Sequence, residues 1–138
     1  MKVRSYLFEG YRSAIDNGRG HTIITDLPSE NYDLGQNSGA TALEVSLMSL
    51  AGCISTIYAL IAHNKKVTID RIFVELDGVK SDEKGFESVS GEVKVIAEAD
   101  QEKLEKLLAD TMKACPVGKI FHAAGIEEKI QLVKVDSL

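Results

Sequence analysis

Two cysteines are the residues of this chain best suited to do chemistry. Cys53 lies within residues 41–62, a long apolar stretch rich in small side chains. Cys115 lies 62 residues later, in Ala114-Cys115-Pro116-Val117-Gly118. A thiol is nucleophilic only as thiolate, and its pKa falls beside cations or helix N-termini. Cys115 precedes a proline, a favoured first helical residue, so its sulfur is expected at the positive end of a short helix over 117–124. Cys53 is mid-helix and gains nothing from its own helix; to ionise it needs a cation from elsewhere. The pair reads first as redox-active. The plainer alternative is two buried free thiols, since cysteine is among the most buried residue types. No C-x-x-C spacing is present, so a thioredoxin-type motif is absent.

Arg19 is the cation of most interest. It stands between Gly18 and Gly20, after Asp16-Asn17, and would project from a hairpin tip towards a site or simply into solvent. Glu44 is the only charged residue from 43 to 62. It fits a capping box with Thr41 as N-cap, or it orients an arginine. At about 100° per residue, nine residues set Glu44 opposite Cys53 on one helix. If Glu44 serves a thiol site, that site holds another chain's Cys53, which implies a dimer with composite sites.

Other chemistries find little support. The three histidines, His21, His63 and His122, have no metal-ligand spacing with the cysteines, and a zinc site needs convergent ligands, so no metal is expected. There is no P-loop or dinucleotide fingerprint, and no cofactor is expected. Net charge is −5 with no basic block, which argues against nucleic acid. The start, Met1-Lys2-Val3-Arg4-Ser5, has no apolar signal region, so a cytoplasmic protein with reduced thiols is expected. Residues 41–62 are long enough to span a bilayer. Glu44 and several serines within them favour instead the central helix of a soluble core.

The surrounding elements follow from periodicity. Residues 2–8 alternate as a half-buried strand, a second strand covers 11–15, and 16–18 give a hairpin turn. A strand over 21–25 and a long loop over 27–39 precede the 41–62 helix. Strands are expected at 67–80 and 89–99, joined by a polar loop. Asp100 caps a helix over 101–114 with the stripe Leu104, Leu107, Leu108 and Met112. A last strand covers about 126–135. The order β-β-β-α-β-β-α-β makes the chain a single α+β domain over 1–138 with mostly antiparallel pairing.

The run from Gly39 through Thr41-Ala42-Leu43-Glu44 to Gly52-Cys53, followed by Cys115-Pro116-Val117, resembles the OsmC/Ohr family. Gly18-Arg19-Gly20-His21 through Asp26-Leu27-Pro28 is similar to that family's N-terminal hairpin. The resemblance covers nearly the whole chain. It implies an intertwined homodimer, with two long central helices wrapped by sheets from both chains. It further implies a thiol peroxidase acting on organic hydroperoxides in oxidative stress defence. Cys53 would be the attacking thiolate, Cys115 the resolving thiol, and Arg19 the cation that polarises the peroxide. A dithiol reductant, lipoyl-type in one branch, would close the cycle. In the hydroperoxide-resistance branch the arginine-orienting glutamate stands ten residues before the first cysteine. Here Leu43 holds that place and Glu44 follows it. The Ala42-x-Glu44-x-x-Leu47 form looks more like a second, redox-protein branch. Two other functions stay open: a thiol–disulfide redox protein or sensor with little turnover, and a non-enzymatic dimeric module that binds an apolar ligand.

Overall fold

In the computed structural model, which describes residues 1–138, the elements run β1 (Arg4–Glu9), β2 (Arg12–Asp16), β3 (Thr22–Thr25), α1 (Ala42–Asn64), β4 (Arg71–Ser81), β5 (Gly85–Ile96), α2 (Gln101–Ala114), α3 (Pro116–Ala123) and β6 (Glu127–Lys134). The expected α+β order is present. The short helix expected over 117–124 is α3, one residue earlier at Pro116–Ala123. Internal contacts divide the chain into two compact units, Met1–Ser46 and Leu47–Leu138.

The first unit is an antiparallel meander in the order β1-β2-β3. Its second connection is longer than the Asn-Gly signal suggests. Asp16 pairs with Thr22, leaving residues 17–21 at the tip. Gly18 and Gly20 take left-handed φ values of 70° and 88° there, a conformation that side chains with a Cβ rarely tolerate. β1 is exposed along its whole length rather than half-buried. The alternation is real, but nothing in this chain covers either face of the strand.

A buried carboxylate organises the loop after β3. Asp26, 2% exposed, accepts from the backbone N–H of Leu27 at 2.8 Å, of Gln36 at 3.1 Å and of Ser38 at 3.1 Å, and from the Ser38 hydroxyl at 2.9 Å. Burial alone pushes its pKa up, but these donors outweigh it and hold the carboxyl below its usual range. A lowered folded pKa stabilises above the unfolded value, about 3.9, and that stability is lost as pH falls through the folded one. The Asp26→Ala chain is therefore expected to unfold at a lower temperature at pH 7 and to be cut faster by protease within 27–39. The wild-type advantage should shrink as pH falls below 4. Equal melting curves at neutral pH would remove the carboxylate from this role.

The second unit packs helices on a mixed sheet. α1 buries Leu50, Ile54, Tyr58 and Ala62, one residue every four, which lie on one side of a helix. The Tyr58 hydroxyl donates to the Leu104 carbonyl of α2 at 3.1 Å, and Lys65 pairs with Asp110. α2 buries Leu104, Leu107, Leu108 and Thr111. Thr111 takes the position expected of Met112; its hydroxyl is satisfied by donating to the Leu107 carbonyl at 2.7 Å.

In the sheet β4 and β5 are antiparallel, whereas β6 runs parallel to β5. The two helices between β5 and β6 supply the crossover that a parallel pair requires. β5 begins four residues earlier than the polar composition of 81–88 suggests, because pairing with β4 extends it. The register skips one residue on β5, between the pairs Val79–Ser88 and Lys80–Phe86. Such a bulge returns Phe86 to the buried side shared with Val89, Val93 and Val95. Phe86 stacks on Phe121 of α3 with centroids 5.9 Å apart. A Cβ on Gly78 would meet that Phe86 ring at 2.6 Å, so the absence of a side chain at 78 lets the ring lie where it steadies α3.

Candidate functional site

Cys115 occupies the junction of two helices. It is the C-cap of α2 and the N-cap of α3, with an extended backbone at φ −60° and ψ 114°. Pro116 forces this break: it has no N–H to continue α2, yet its fixed φ suits the first turn of α3. The Cys115 backbone N–H still donates to the Thr111 carbonyl at 2.8 Å. Its sulfur turns towards the start of α3 and accepts from the Gly118 N–H at 3.3 Å. The expected placement at a helix N-terminus is thus what the structure shows.

Cys53 reaches the same point from α1. It lies next to Ile54 and one turn after Leu50, both buried, and is itself only partly buried. The Cys115 thiol donates towards Cys53 Sγ across 2.6 Å. That is about half an ångström beyond a covalent S–S bond. Both cysteines are free. Two thiols 62 residues apart in sequence therefore sit within bonding reach, without any rearrangement of the helices that carry them.

The two thiols differ in environment. Cys115 is fully buried. Burial pushes its pKa up to about 11, and the hydrogen bond to Cys53 adds to the rise. The N–H groups of Gly118 and Val117 pull the other way but do not prevail. Cys115 is therefore a neutral thiol at pH 7. Cys53 is the less buried of the two.

Arg19 and Glu44 belong to the first unit and are not brought together within it. Arg19 stands exposed at the 17–21 tip, with its side chain in no ion pair. Its backbone N–H donates to Asn17 Oδ1 at 2.9 Å. Glu44 closes the capping box: its Oε2 accepts from the Thr41 N–H at 2.7 Å, and its own N–H donates to Thr41 Oγ1 at 3.2 Å. Those hydrogen bonds hold the Glu44 carboxyl below its usual range. Gly118, as donor to the sulfur, escaped the sequence reading; the Pro116 start signal could have found it. Asn17 was visible there only as a turn former and His21 only as the start of a strand and a histidine without metal-ligand spacing, yet both bond around Arg19. No group of three or more metal-ligating side chains is present.

Comparison with curated protein sequences finds no match. Solved structures match closely in shape. An OsmC-like protein from Mycoplasma pneumoniae superposes with a TM-score of 0.85 over 97% of this chain and 96% of that one, at 16% identity. A putative osmotic stress induced and detoxification response protein from Psychrobacter arcticus gives 0.82 over 96% of each chain, at 24% identity. The organic hydroperoxide resistance protein OhrB of Bacillus subtilis gives 0.65 over 96% of each, at 18% identity. At these identities the likeness establishes the fold. The family model described as OsmC-like protein matches residues 35–130, a span containing both cysteines. By that match the chain belongs to the OsmC-like family.

Proposed function

We propose that this protein is a thiol-dependent peroxidase of organic hydroperoxides that cycles Cys53 and Cys115 through a disulfide. The observation that carries this reading is the 2.6 Å approach of the two sulfurs. The Cys53 thiolate attacks the outer peroxide oxygen. The O–O bond breaks, a proton goes to the departing alkoxide, and Cys53 sulfenic acid and an alcohol result. Cys115 then attacks the Cys53 sulfur, and the sulfenic oxygen leaves as water with the Cys115 proton. A dithiol reductant restores both thiols and is itself oxidised to a disulfide. Arg19 is assigned the task of favouring the thiolate and polarising the peroxide.

A second reading is favoured by Glu44. Its carboxylate is engaged by Thr41, which leaves Arg19 without the acidic partner that the hydroperoxide-resistance pattern calls for. A thiol–disulfide redox protein or sensor with slow turnover fits that arrangement. One equivalent of cumene hydroperoxide separates the possibilities. Rapid loss of both titratable thiols is the result expected of the peroxidase. Oxidation by diamide with slow peroxide consumption points to the redox protein. Two thiols untouched by either reagent reject both and leave the apolar-ligand module.

We also infer a homodimer, working in the cytoplasm. β1 leaves Tyr6 71% exposed, and α1 leaves Met48 61% and Leu60 52% exposed. Exposed apolar area in this quantity marks an interaction surface, and a second copy of the chain supplies a matching one. Sedimentation equilibrium should return twice the chain mass at micromolar concentration; a monomer there rules the inference out.

A further inference from the structure

A ring of hydrogen bonds closes the tip that carries Arg19. Asn17 Oδ1 accepts from the backbone N–H of Arg19 at 2.9 Å and from that of His21 at 3.4 Å. The Asn17 N–H donates to the His21 carbonyl at 3.3 Å. Two N–H groups converging on one side-chain atom require that atom to be the amide oxygen. The amide nitrogen then faces His21 Nδ1 at 3.0 Å. An amide NH2 can only donate, so Nδ1 must be the lone-pair nitrogen, with the ring proton on Nε2.

We propose that Asn17 and His21 form a proton-sensitive latch that positions Arg19, and that protonating His21 at Nδ1 opens it. With a proton on Nδ1, two donors face each other across 3.0 Å. Either the imidazole or the Asn17 amide must swing away. If the amide swings, the Arg19 N–H loses its acceptor. Gly18 and Gly20, both at left-handed φ, offer little steric resistance to movement of the residue between them. The charged groups at the tip are Arg19 itself and the Arg4–Asp16 pair at 3.0 Å; Arg12, paired with Glu9, stands at the far end of β2. The Gly18 N–H and Arg4 hold the Asp16 carboxyl below its usual range, so its charge stays constant where imidazoles titrate. Asn17 and His21 are positioning residues: they act through Arg19.

This inference rests on the role proposed above for Arg19, and the test separates the two. Stopped-flow measurement of thiol loss with cumene hydroperoxide is run from pH 5.5 to 8 on the wild type and four variants. His21→Asn sets an amide oxygen where Nδ1 stands and does not titrate, so it conserves the acceptor. Its rate should follow the wild type at pH 8 and exceed it about tenfold at pH 5.5, since small misplacements of a catalytic group cost rate steeply. Asn17→Ala and His21→Ala should be about tenfold slow throughout. Arg19→Ala is the reference. If it is slow while the Asn17 and His21 variants match the wild type at every pH, the latch is wrong and the arginine's role stands. If Arg19→Ala reacts like the wild type, the arginine's role fails and the latch falls with it.

Discussion

Cys53→Ser, treated with one equivalent of cumene hydroperoxide at pH 7, is expected to keep its remaining thiol. The argument does not depend on the serine alone. The thiol left in that variant is Cys115, fully buried, and burial, the largest cause of its raised pKa, remains when the Cys53 sulfur is gone. At pH 7 a thiol held above its usual range by burial is ionised only in a very small fraction, and the thiolate is the species that attacks peroxide. Burial withholds even that fraction from a dissolved substrate. The expected loss in rate of thiol consumption is therefore about a thousandfold or more. Thiol titration after timed quenching reads it directly. Wild-type speed in this variant would make Cys115 the first nucleophile and reverse the two roles.

Some of this arrangement was legible in the sequence. The Thr41–Glu44 capping box is local, four residues deciding among themselves, and it forms as the pattern requires. The break at Cys115 is equally local, because Pro116 ends one helix and begins the next whatever surrounds it. The buried stripe of α1 was not legible. A helix apolar on all sides gives periodicity nothing to select, and only packing against α2 singles out Leu50, Ile54, Tyr58 and Ala62. β5 illustrates a different loss. Residues 85–88 are polar enough to read as loop, but a long partner strand draws them into the ladder, and a bulge corrects their facing. Asp26 was invisible for a third reason. Its partners Gln36 and Ser38 lie 10 and 12 residues away, and no spacing rule connects an aspartate to amides that a loop brings back to it. The meeting of the two sulfurs is of this last kind. Composition supplied the thiols, and the junction of α2 with α3 supplied the distance.

Cys115→Ser is expected to separate the first chemical step from the second. Serine is a good N-cap, so its hydroxyl can take over the Gly118 N–H that the sulfur accepts now, and α3 should keep its start. Cys53 keeps its place on α1 and its partial exposure. Hydroperoxide should then consume one thiol at close to the wild-type rate. The product should carry one added oxygen and react with dimedone, the mark of a sulfenic acid with no thiol to resolve it. Excess peroxide should carry it on to the sulfinic acid, whereas the wild type is protected by its disulfide. A second readout comes from alkaline stability. The folded Cys115 pKa lies above that of a free thiol, about 8.5, so burial as a neutral group stabilises the fold fully below that pH. The contribution is lost as pH rises through about 11. Tyr58 is also raised by burial but is common to both chains, so the difference between their melting curves isolates Cys115. The wild type should lose more than the serine variant between pH 9 and 11. If peroxide instead leaves Cys53 of this variant unreacted, the neighbouring thiol is needed before any oxygen is transferred, and the order of steps proposed for the pair is wrong.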